Sequence, residues 1–217
     1  MFSGIIDAIG QARECRQTPG GQTLVIHAPD YWRDVKPGSS IAIDGVCLTL
    51  TQADQTDAQF DVIAETLRCT TLGSLQPGHD VNLQKSLAVG DRIDGHFVQG
   101  HVDAVATIIR VEKSARESVL WFTMDAAAMA AVIPKGSVAI DGISLTIAAV
   151  SDDSFSVALI PTTLDCTTIG RKAAKDRVNV ETDILARTVV HYLKNAAGSA
   201  TPSTGLTQET LSRHGFS

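Results

Sequence analysis

The sequence repeats itself once along its length, and this duplication constrains the fold more than any other feature. At an offset of 97 residues, segment 41–49 matches 138–146 at six of nine positions, and 66–73 matches 163–170 at six of eight. Near the start of each copy the offset is 96, and segment 4–8 faces 100–104. Two copies of about 95 residues are too few and too long for a solenoid, so the repeat predicts two similar globular lobes.

Each copy carries short stretches of β-branched and aromatic residues bounded by Gly, Pro and Asp, a pattern typical of a small barrel or sandwich. The predicted strands lie at 23–27, 40–51, 60–63 and 80–83 in the first copy, and at 102–111, 119–123, 138–150, 155–160 and 177–180 in the second. Asp44-Gly45 and Asp141-Gly142 separate apolar stretches, and we interpret both as tight hairpin turns rather than as binding sites.

The apolar spacing becomes helical after Glu181, where Ile184, Leu185, Val189, Tyr192 and Leu193 recur on one face. Thr182 or Asp183 would cap this helix. A short helix is also predicted over 125–133, ended by Pro134. The predicted organisation is therefore a first lobe over 1–95, a second over 96–183, a helix over 184–195 and a loosely held tail over 196–217, with a brief helical turn near 208–211.

Composition excludes several classes of protein. The formal net charge is −6 and no run of Lys or Arg is present, which argues against a nucleic-acid surface. No apolar run approaches the ~20 residues that span a bilayer, and no basic segment precedes an apolar one at the N-terminus. These features predict a cytoplasmic protein without a membrane segment. The four cysteines form no Cys-x-x-Cys pair, so we expect reduced thiols and no zinc ribbon.

The positions at which the two copies differ are the natural places to look for chemistry. They pair Cys47 with Ser144, Ile5 with His101, Glu65 with Thr162, and Gly38 with Lys135. Thiol, hydroxyl, imidazole, carboxylate and ammonium groups serve proton transfer and nucleophilic addition. For any one pair taken alone, drift at a surface or packing position is the simpler interpretation. The differences taken together predict two related pockets with divided roles.

His96 and His101 lie five residues apart, which places their rings on different faces of either a strand or a helix. Joint binding of a metal would need a bend at Gly100, so no metal site is predicted. A single histidine in an apolar strand is more often structural than catalytic. His101 gains interest because its counterpart in the first copy is Ile5.

The motifs resemble those of the riboflavin synthase family, α-chain type, over residues 1 to about 195. The matching segments are Phe2-Ser3-Gly4-Ile5-Ile6, Gly45-Val46-Cys47-Leu48-Thr49, residues 95–103 (GHFVQGHVD), Asp141-Gly142-Ile143-Ser144-Leu145-Thr146, residues 159–163 (LIPTT) and residues 178–183 (VNVETD). The resemblance implies an all-β fold of two tandem six-stranded Greek-key β-barrels followed by a C-terminal helix that assembles a homotrimer. Gln84, where the family commonly has Glu, and Thr162 depart from its pattern.

The resemblance also implies the reaction. Two molecules of 6,7-dimethyl-8-ribityllumazine exchange a four-carbon unit to give riboflavin and 5-amino-6-(ribitylamino)uracil, with no metal or redox cofactor. The active site is expected where the first barrel of one subunit meets the second barrel of its neighbour. Association with lumazine synthase is a further expectation.

Substrate-binding residues are carried over position by position. The first-barrel pocket is expected to contain Gly4, Ile5, Ile6, Cys47, Leu48, Thr49, Asp61, Val62, Ile63, Ala64, Glu65 and Thr66. The second-barrel pocket is expected to contain Gly100, His101, Val102, Lys135, Ser144, Leu145, Thr146, Ala158, Leu159, Ile160, Pro161, Thr162 and Thr163. Backbone groups of these strands would pair with the pyrimidinedione edge, and Glu65 with the threonine hydroxyls would hold the ribityl chain.

The catalytic residues are predicted to be His101, Ser144, Cys47 and Thr146. In this hypothesis His101 and Ser144 relay the proton lost from a ring methyl, and Cys47 or a bound water assists addition at the partner ring. The main alternative is a lumazine- or flavin-binding protein on the same fold that catalyses nothing. A flavin-dependent oxidoreductase would need a Gly-rich nicotinamide-binding segment, which the sequence lacks.

Overall fold

A computed structural model describes residues 1–114 and 117–198, and it confirms the duplicated all-β fold as two closed six-stranded antiparallel barrels. The first barrel consists of β1 (Ala8–Thr18), β2 (Gly21–His27), β3 (Ser40–Ile43), β4 (Val46–Ala53), β5 (Asp57–Ile63) and β6 (Asp80–Lys85). The second consists of β7 (Ala104–Lys113), β8 (Ser118–Thr123), β9 (Ser137–Ile140), β10 (Ile143–Val150), β11 (Ser154–Leu159) and β12 (Arg177–Thr182). The strand order β1-β2-β5-β4-β3-β6 recurs in the second barrel as β7-β8-β11-β10-β9-β12.

Each barrel has its own apolar interior, built from the alternate residues of its strands. Leu24 and Phe60 are fully buried in the first interior, and Phe122 stacks against Phe155 in the second, with ring centroids 5.3 Å apart. The sequence pattern did not predict β1, because the second half of this strand is mostly exposed and polar and so lacks the alternation of apolar and polar residues. The strand predicted at 102–111 begins only at Ala104.

In the described ranges, three short α-helices and one longer one accompany the barrels: α1 (Ala64–Cys69), α2 (Ala126–Met129), α3 (Pro161–Cys166) and the longer α4 (Ile184–Gly198). The helix predicted over 125–133 is shorter than expected, with Asp125 as its N-cap. Asp183 caps α4 by accepting the N–H of Leu185 at 2.8 Å. The helix continues past 195, so 196–198 are helical rather than part of a tail. Residues 199–217, including the turn predicted near 208–211, lie outside the described residues.

The two barrels meet at the tips of their equivalent hairpins. Asp44 and Asp141 both have φ 44°, and Gly45 and Gly142 have φ 76° and 80°, the left-handed pair that a two-residue type I′ hairpin turn requires. The predicted turns are therefore confirmed. A Cβ on Gly45 would lie 2.6 Å from the backbone nitrogen of Gly142, so the close approach of the barrels also requires glycine.

A reciprocal set of hydrogen bonds joins the barrels around these tips. The side-chain amide of Asn82 donates to the carbonyl of Asp141 at 2.9 Å, and that of Asn179 donates to the carbonyl of Asp44 at 2.8 Å. Each aspartate carboxylate accepts the backbone N–H of the asparagine on its own barrel, at 2.8 Å for Asp44 and 2.7 Å for Asp141. The barrels are thus related by an approximate twofold axis.

Two irregular segments cross between the barrels, and we call them the N-terminal segment (residues 1–7) and the central segment (residues 95–103). They pair with each other through Phe2 and Val98, whose backbone groups exchange hydrogen bonds of 2.7 and 3.1 Å. Both side chains are fully buried. This pairing holds the two segments side by side between the barrels. Within the described ranges, no helix is long and apolar enough to cross a membrane.

Candidate functional site

The first barrel opens between β4 and β5. Backbone pairing between β4 and β5 ends at Leu50↔Phe60, although both strands continue beyond that pair. Residues 46–49 pair only with β3 on their other side, and residues 61–63 only with β2. Because alternate residues of an antiparallel strand direct their backbone groups to opposite neighbours, those of Cys47 and Thr49 face this opening. We call it the first gap.

The second barrel repeats this opening. Pairing between β10 and β11 ends at Ile147↔Val157, while residues 143–146 pair with β9 and residues 158–159 with β8. By the same alternation, the backbone groups of Ser144 and Thr146 face the opening, which we call the second gap. The predicted residues 47–49, 61–63, 144–146 and 158–160 are therefore the edges of two equivalent gaps.

The two crossing segments lie at the gaps opposite to those predicted for them. The N-terminal segment reaches the second gap instead of the first, and the central segment reaches the first gap instead of the second. Cys47, in the first barrel, donates its N–H to the carbonyl of Gly100 at 2.9 Å, and Ser144, in the second barrel, donates to Gly4 at 2.7 Å. Val102 packs against the first core and Ile6 against the second. Gly4, Ile5 and Ile6 thus accompany the second gap, and Gly100, His101 and Val102 the first. Sequence alignment of the copies matched the segments to each other but could not reveal the exchange.

Glycine is required where each segment meets the strand. Gly4 has φ 78° and Gly100 has φ 80°. A Cβ on Gly100 would lie 2.5 Å from the Cβ of Cys47, and one on Gly4 would lie 2.6 Å from the Cβ of Ser144. The bend that joint metal binding by His96 and His101 would need is therefore present at Gly100. Among the described residues, however, no group of three or more His, Cys, Asp or Glu side chains could hold a metal ion.

Equivalent side chains of β6 and β12 hold the two segments. Both carboxylate oxygens of Glu181 accept from the central segment, with 2.7 Å to the N–H of Gln99 and 2.8 Å to those of Gly100 and His101. Burial raises the pKa of the Glu181 carboxyl, although the three hydrogen bonds favour its charged form. Its counterpart Gln84 accepts the N–H of Gly4 at 3.0 Å and donates to the Ser3 hydroxyl at 2.9 Å. Gln84, where the family commonly has Glu, therefore still anchors the N-terminal segment.

The helix α4 is tied to the same segment by Arg187, which the sequence did not single out. Its guanidinium forms an ion pair with Asp103 and donates to the side-chain carbonyl of Gln99 at 2.8 Å. Asp103 also accepts the backbone N–H and the hydroxyl of Thr182, at 2.8 and 2.7 Å. The position of α4 is thus coupled to the backbone that lies against Cys47.

The residues of the predicted relay, His101 and Ser144, are not in direct contact within one chain. Within the described part of the chain no hydrogen bond joins them, because the central segment carries His101 to the first gap, where its side chain is exposed. The Ser144 hydroxyl instead lies 2.8 Å from Nδ1 of His96. His96 is buried, which lowers the pKa of its imidazole against the opposing effect of Asp183. The sequence suggested only metal binding for His96, since nothing in its motif shows that Ser144 of β10 lies beside it.

Four of the predicted residues, Leu48, Val62, Leu145 and Leu159, turn their side chains into the barrel cores. Only their backbone can face a ligand. The remaining predicted positions 64–66 and 161–163 lie in α1 and α3, directly after each gap. Ile63 and Ile160 occupy equivalent sites there and are 63% and 61% exposed, so each gap is flanked by an uncovered apolar side chain.

The polar groups beside the two gaps differ. Glu65 hydrogen-bonds the guanidinium of Arg68, with 2.9 Å to Nε, and accepts from the Cys69 thiol, and these bonds lower the pKa of the carboxyl to about 2. Asp61 accepts from the Thr23 hydroxyl at 3.2 Å. Beside the second gap, Lys135 has φ 66°, where its counterpart Gly38 has 89°. This left-handed conformation is uncommon for a residue other than glycine.

Comparison with known proteins agrees with this architecture. The family model described as the lumazine binding domain matches residues 3–85 and again 99–183. The riboflavin synthase of Bacillus subtilis strain 168 is 35% identical over the full length of both chains, and that of Chlamydia pneumoniae is 41% identical over 92% of this chain and 98% of its own.

Solved structures show the same fold. LumP in complex with 6,7-dimethyl-8-(1'-D-ribityl) lumazine superposes with a TM-score of 0.76 at 22% identity, and LumP in complex with riboflavin with 0.77 at 24%. Both alignments cover 84% of this chain and 99% of the other. The full-length match to the enzymes, together with the doubled domain, shows that this chain belongs to the riboflavin synthase family.

Proposed function

We propose that the chain catalyses the dismutation of two molecules of 6,7-dimethyl-8-ribityllumazine into riboflavin and 5-amino-6-(ribitylamino)uracil. The observation that carries the proposal is the presence of two equivalent gaps lined by different chemical groups. A dismutation needs two places for one kind of molecule, one holding the donor of the four-carbon unit and the other its acceptor. Relatives that match the whole chain carry the name of this enzyme.

The gaps suit the flat, polar edge of a pyrimidinedione. Thr49 and Thr146 direct backbone N–H and C=O groups into the gaps, where β5 and β11 no longer pair with their strands. Both residues are exposed. A ring seated there would complete the interrupted strand pairing with its own donors and acceptors. The exposed Ile63 and Ile160 would contact the ring, and Asp61, Thr66, Thr163 and Lys135 would meet the ribityl chain.

The positions of the two crossing segments support a proposal for the reactive groups. The first gap receives Cys47 and His101, and the second receives Ser144, Thr146 and His96. In the proposed reaction His101 accepts the proton lost from an acidic ring methyl of the lumazine in the first gap. The Ser144 hydroxyl, hydrogen-bonded to His96, would hold the water that adds to the ring in the second gap and is released again as water when the four-carbon unit has been transferred. Cys47 would line the first ring without being the obligatory nucleophile.

The four carbons leave one lumazine as a unit and join the other, so atoms and electrons balance without an external oxidant or reductant. The donor loses the four carbons, and its pyrimidine ring is released as 5-amino-6-(ribitylamino)uracil. The acceptor gains them and becomes riboflavin. The chain contributes orientation and proton transfer. Effective molarities of about 10⁵ M or more show how much a fixed, stacked geometry can add to a bimolecular reaction.

We further propose that the complete site forms between subunits of a homotrimer. Leu185, Val189 and Tyr192 follow each other along one face of α4 and are 63%, 57% and 70% exposed. This apolar face is suited to helix packing between subunits. Assembly would bring the first gap of one subunit against the second gap of its neighbour. Association with lumazine synthase and a cytoplasmic location remain predictions.

The proposal is tested by adding 6,7-dimethyl-8-ribityllumazine to the purified protein, without metal or nicotinamide, and following riboflavin by its absorbance and fluorescence. We expect two lumazines consumed for each riboflavin formed. Tight binding of the lumazine without product would instead support the non-catalytic binding protein, which is the main alternative on this fold.

A further inference from the structure

A second cleft lies between the barrels, apart from the gaps. It is bordered by the 3₁₀ turns Thr71–Ser74 and Thr168–Arg171 and by the loops that lead into β6 and β12. Its volume is about 540 Å³, enough for a small organic ligand. None of the residues predicted for the lumazine sites lines it.

The cleft is where the two copies of the domain differ most in charge. Segment 171–177 of the second copy carries four cations, and its counterpart 74–80 carries none of Lys or Arg. The substitutions place Arg171, Lys172, Lys175 and Arg177 opposite Ser74, Leu75, Gly78 and Asp80. All four cations line the cleft. The chain as a whole has a net charge of −6, so these seven residues are a local concentration of positive charge on the second-barrel side of the cleft.

Lys175 adds an independent observation from the backbone. Its φ is 83°, close to the 91° of its counterpart Gly78, and both N–H groups donate to equivalent carbonyls at 2.7 Å, those of Ile108 and Ala12. A residue with a side chain is disfavoured in this left-handed conformation, and glycine is the residue that fits it. A lysine here is explained most directly by a use for its ammonium group.

Several donors of the cleft lack acceptors. Lys175 and Arg177 make no side-chain hydrogen bond or ion pair with any residue that the structure describes. The hydroxyl of Thr168, a residue only 4% exposed, is buried without a hydrogen-bond partner. A buried polar group normally has a partner, so the Thr168 hydroxyl indicates a ligand or ordered solvent at this place.

The other two cations are held in position by the protein. Arg171 forms an ion pair with Asp80 across the barrels, and Nζ of Lys172 lies 3.3 Å from the buried carboxylate of Asp141. Asp176 is used locally, since its carboxylate accepts the N–H of Ala173 at 2.8 Å. Asp44 also borders the cleft but is 6% exposed and hydrogen-bonded to Asn82. The acceptors are thus engaged, and the open cleft presents cations.

We propose that this cleft binds a phosphate group, either inorganic phosphate or the phosphate of a small phosphomonoester. Two unpaired cations, the remaining N–H groups of Arg171 and the Thr168 hydroxyl supply charged and neutral donors from one side of the cleft, the combination that tetrahedral oxoanions require. These donors all belong to the second barrel, so the ligand would bind on that side of the cleft. The chemistry proposed for the gaps does not depend on this site.

The test is isothermal titration calorimetry of the full-length protein with inorganic phosphate, ribose 5-phosphate and, for comparison, NaCl at matched ionic strength. We expect at least one phosphate compound to bind with a Kd below about 1 mM and in a ratio of one per chain. Lys175→Gly and Arg177→Gln should each weaken binding at least tenfold. Lys175→Gly installs the residue of the first copy and should fold normally, and Lys113→Gln, an exposed lysine outside the cleft, is the matched control.

The relative affinities of the two phosphate compounds distinguish their source. Tighter binding of ribose 5-phosphate assigns the cleft to a phosphomonoester, and equal or tighter binding of inorganic phosphate assigns it to the free ion. The proposal is overturned if neither binds better than chloride, or if the Lys175 and Arg177 variants bind phosphate as tightly as the Lys113 control. Riboflavin formation by these variants is measured in parallel and is expected to be unchanged, so this result is separate from the proposed activity.

Discussion

Glu181 shows how one side chain can organise a whole segment. Its two oxygens accept three consecutive backbone N–H groups of the central segment, and its counterpart Gln84 performs the equivalent task with its amide. The sequence placed both residues in matching motifs but gave no reason for their presence. Their role depends on contacts with residues 80 to 82 positions away along the chain, which local patterns do not encode.

Replacing Glu181 by Ala is expected to lower the free energy of unfolding by about 2–3 kcal/mol, because buried N–H groups lose their acceptor. Glu181→Gln should cost less, since an amide oxygen fills the same position at Gln84. Urea denaturation of the two variants and the wild type measures both values. Equal stability of Glu181→Ala and wild type would show that the central segment is held by other contacts.

The stability difference between Glu181→Gln and the wild type should also depend on pH. Burial raises the pKa of Glu181 in the folded state, so its favourable contribution is complete below the ordinary pKa of a glutamate and is lost as pH rises through the folded value. The glutamine does not titrate. Relative to the wild type, the variant should therefore become more stable from pH 4 to pH 8, as followed by urea denaturation at each pH. An opposite trend would contradict a raised pKa.

His101→Ala is expected to lower kcat about a hundredfold or more, in line with the loss of a general base, and to change lumazine affinity far less. Steady-state kinetics and equilibrium binding of the lumazine separate the two effects. His27→Ala, which removes a half-buried contact of 2.9 Å between Nδ1 of His27 and the Asp57 carboxylate, serves as the control. Turnover within a few-fold of the wild type would remove His101 from the mechanism.

At the scale of elements, local chemistry predicted the hairpins well. The Asp-Gly pairs specify the left-handed turn conformation by themselves, and the structure has it at both places. The short helices α1 and α3 were missed because six residues are too few to show a helical period. The crossing segments could not be predicted either, since the repeat equates residues 4–8 with 100–104 without showing that each lies on the opposite barrel.

The hairpin tips bury two carboxyl groups, Asp44 and Asp141, and Lys172 forms an ion pair with Asp141. Burial raises the pKa of both carboxyls, and for Asp44 the charge of Asp141 adds to the effect. Burial alone would lower the pKa of Lys172, but the attraction of Asp141 and Asp44 raises it. The interface between the barrels thus depends on one lysine that the first copy lacks.

Lys172→Leu, the residue at the equivalent position 75, is expected to cost about 3–5 kcal/mol at pH 7, because it leaves a buried carboxylate without its cation. The loss should shrink as pH falls, since Asp141 can then bind a proton. Urea denaturation at pH 7 and pH 5 measures it, with Lys113→Leu as the exposed control. A variant as stable as that control at pH 7 would contradict the assigned role.

At the scale of the whole molecule, the exposed apolar face of α4 is the feature that a single chain leaves unexplained. Val189→Glu is expected to convert the proposed trimer to monomers and to reduce riboflavin formation more than tenfold, because a charge cannot be buried at a packed helix face. Light scattering after gel filtration measures the mass, and Lys194→Glu, which also adds negative charge to α4, is the control. Retention of both mass and activity would contradict assembly through this face.

The sequence predicted the number and type of the lobes because duplication is visible at that scale. The resemblance to the family supplied the residues that edge the gaps, and the repeat related the residues of one gap to those of the other. The partnership of Ser144 with His96 and the exchange of the two segments depend on how the lobes pack, which the repeat leaves open. The candidate site was therefore predicted as a set of residues but not as an arrangement.

The central claim is that catalysis joins the first gap of one subunit to the second gap of another, and mixed trimers test it most directly. We would block the first gap in one variant with Thr49→Trp and the second gap in another with Thr146→Trp, and co-express the two with different tags. Each variant alone should be inactive. Mixed trimers purified through both tags should regain up to about a third of wild-type riboflavin formation, because one of their three junctions then pairs two open gaps. Mixed trimers no more active than either variant alone would contradict the account.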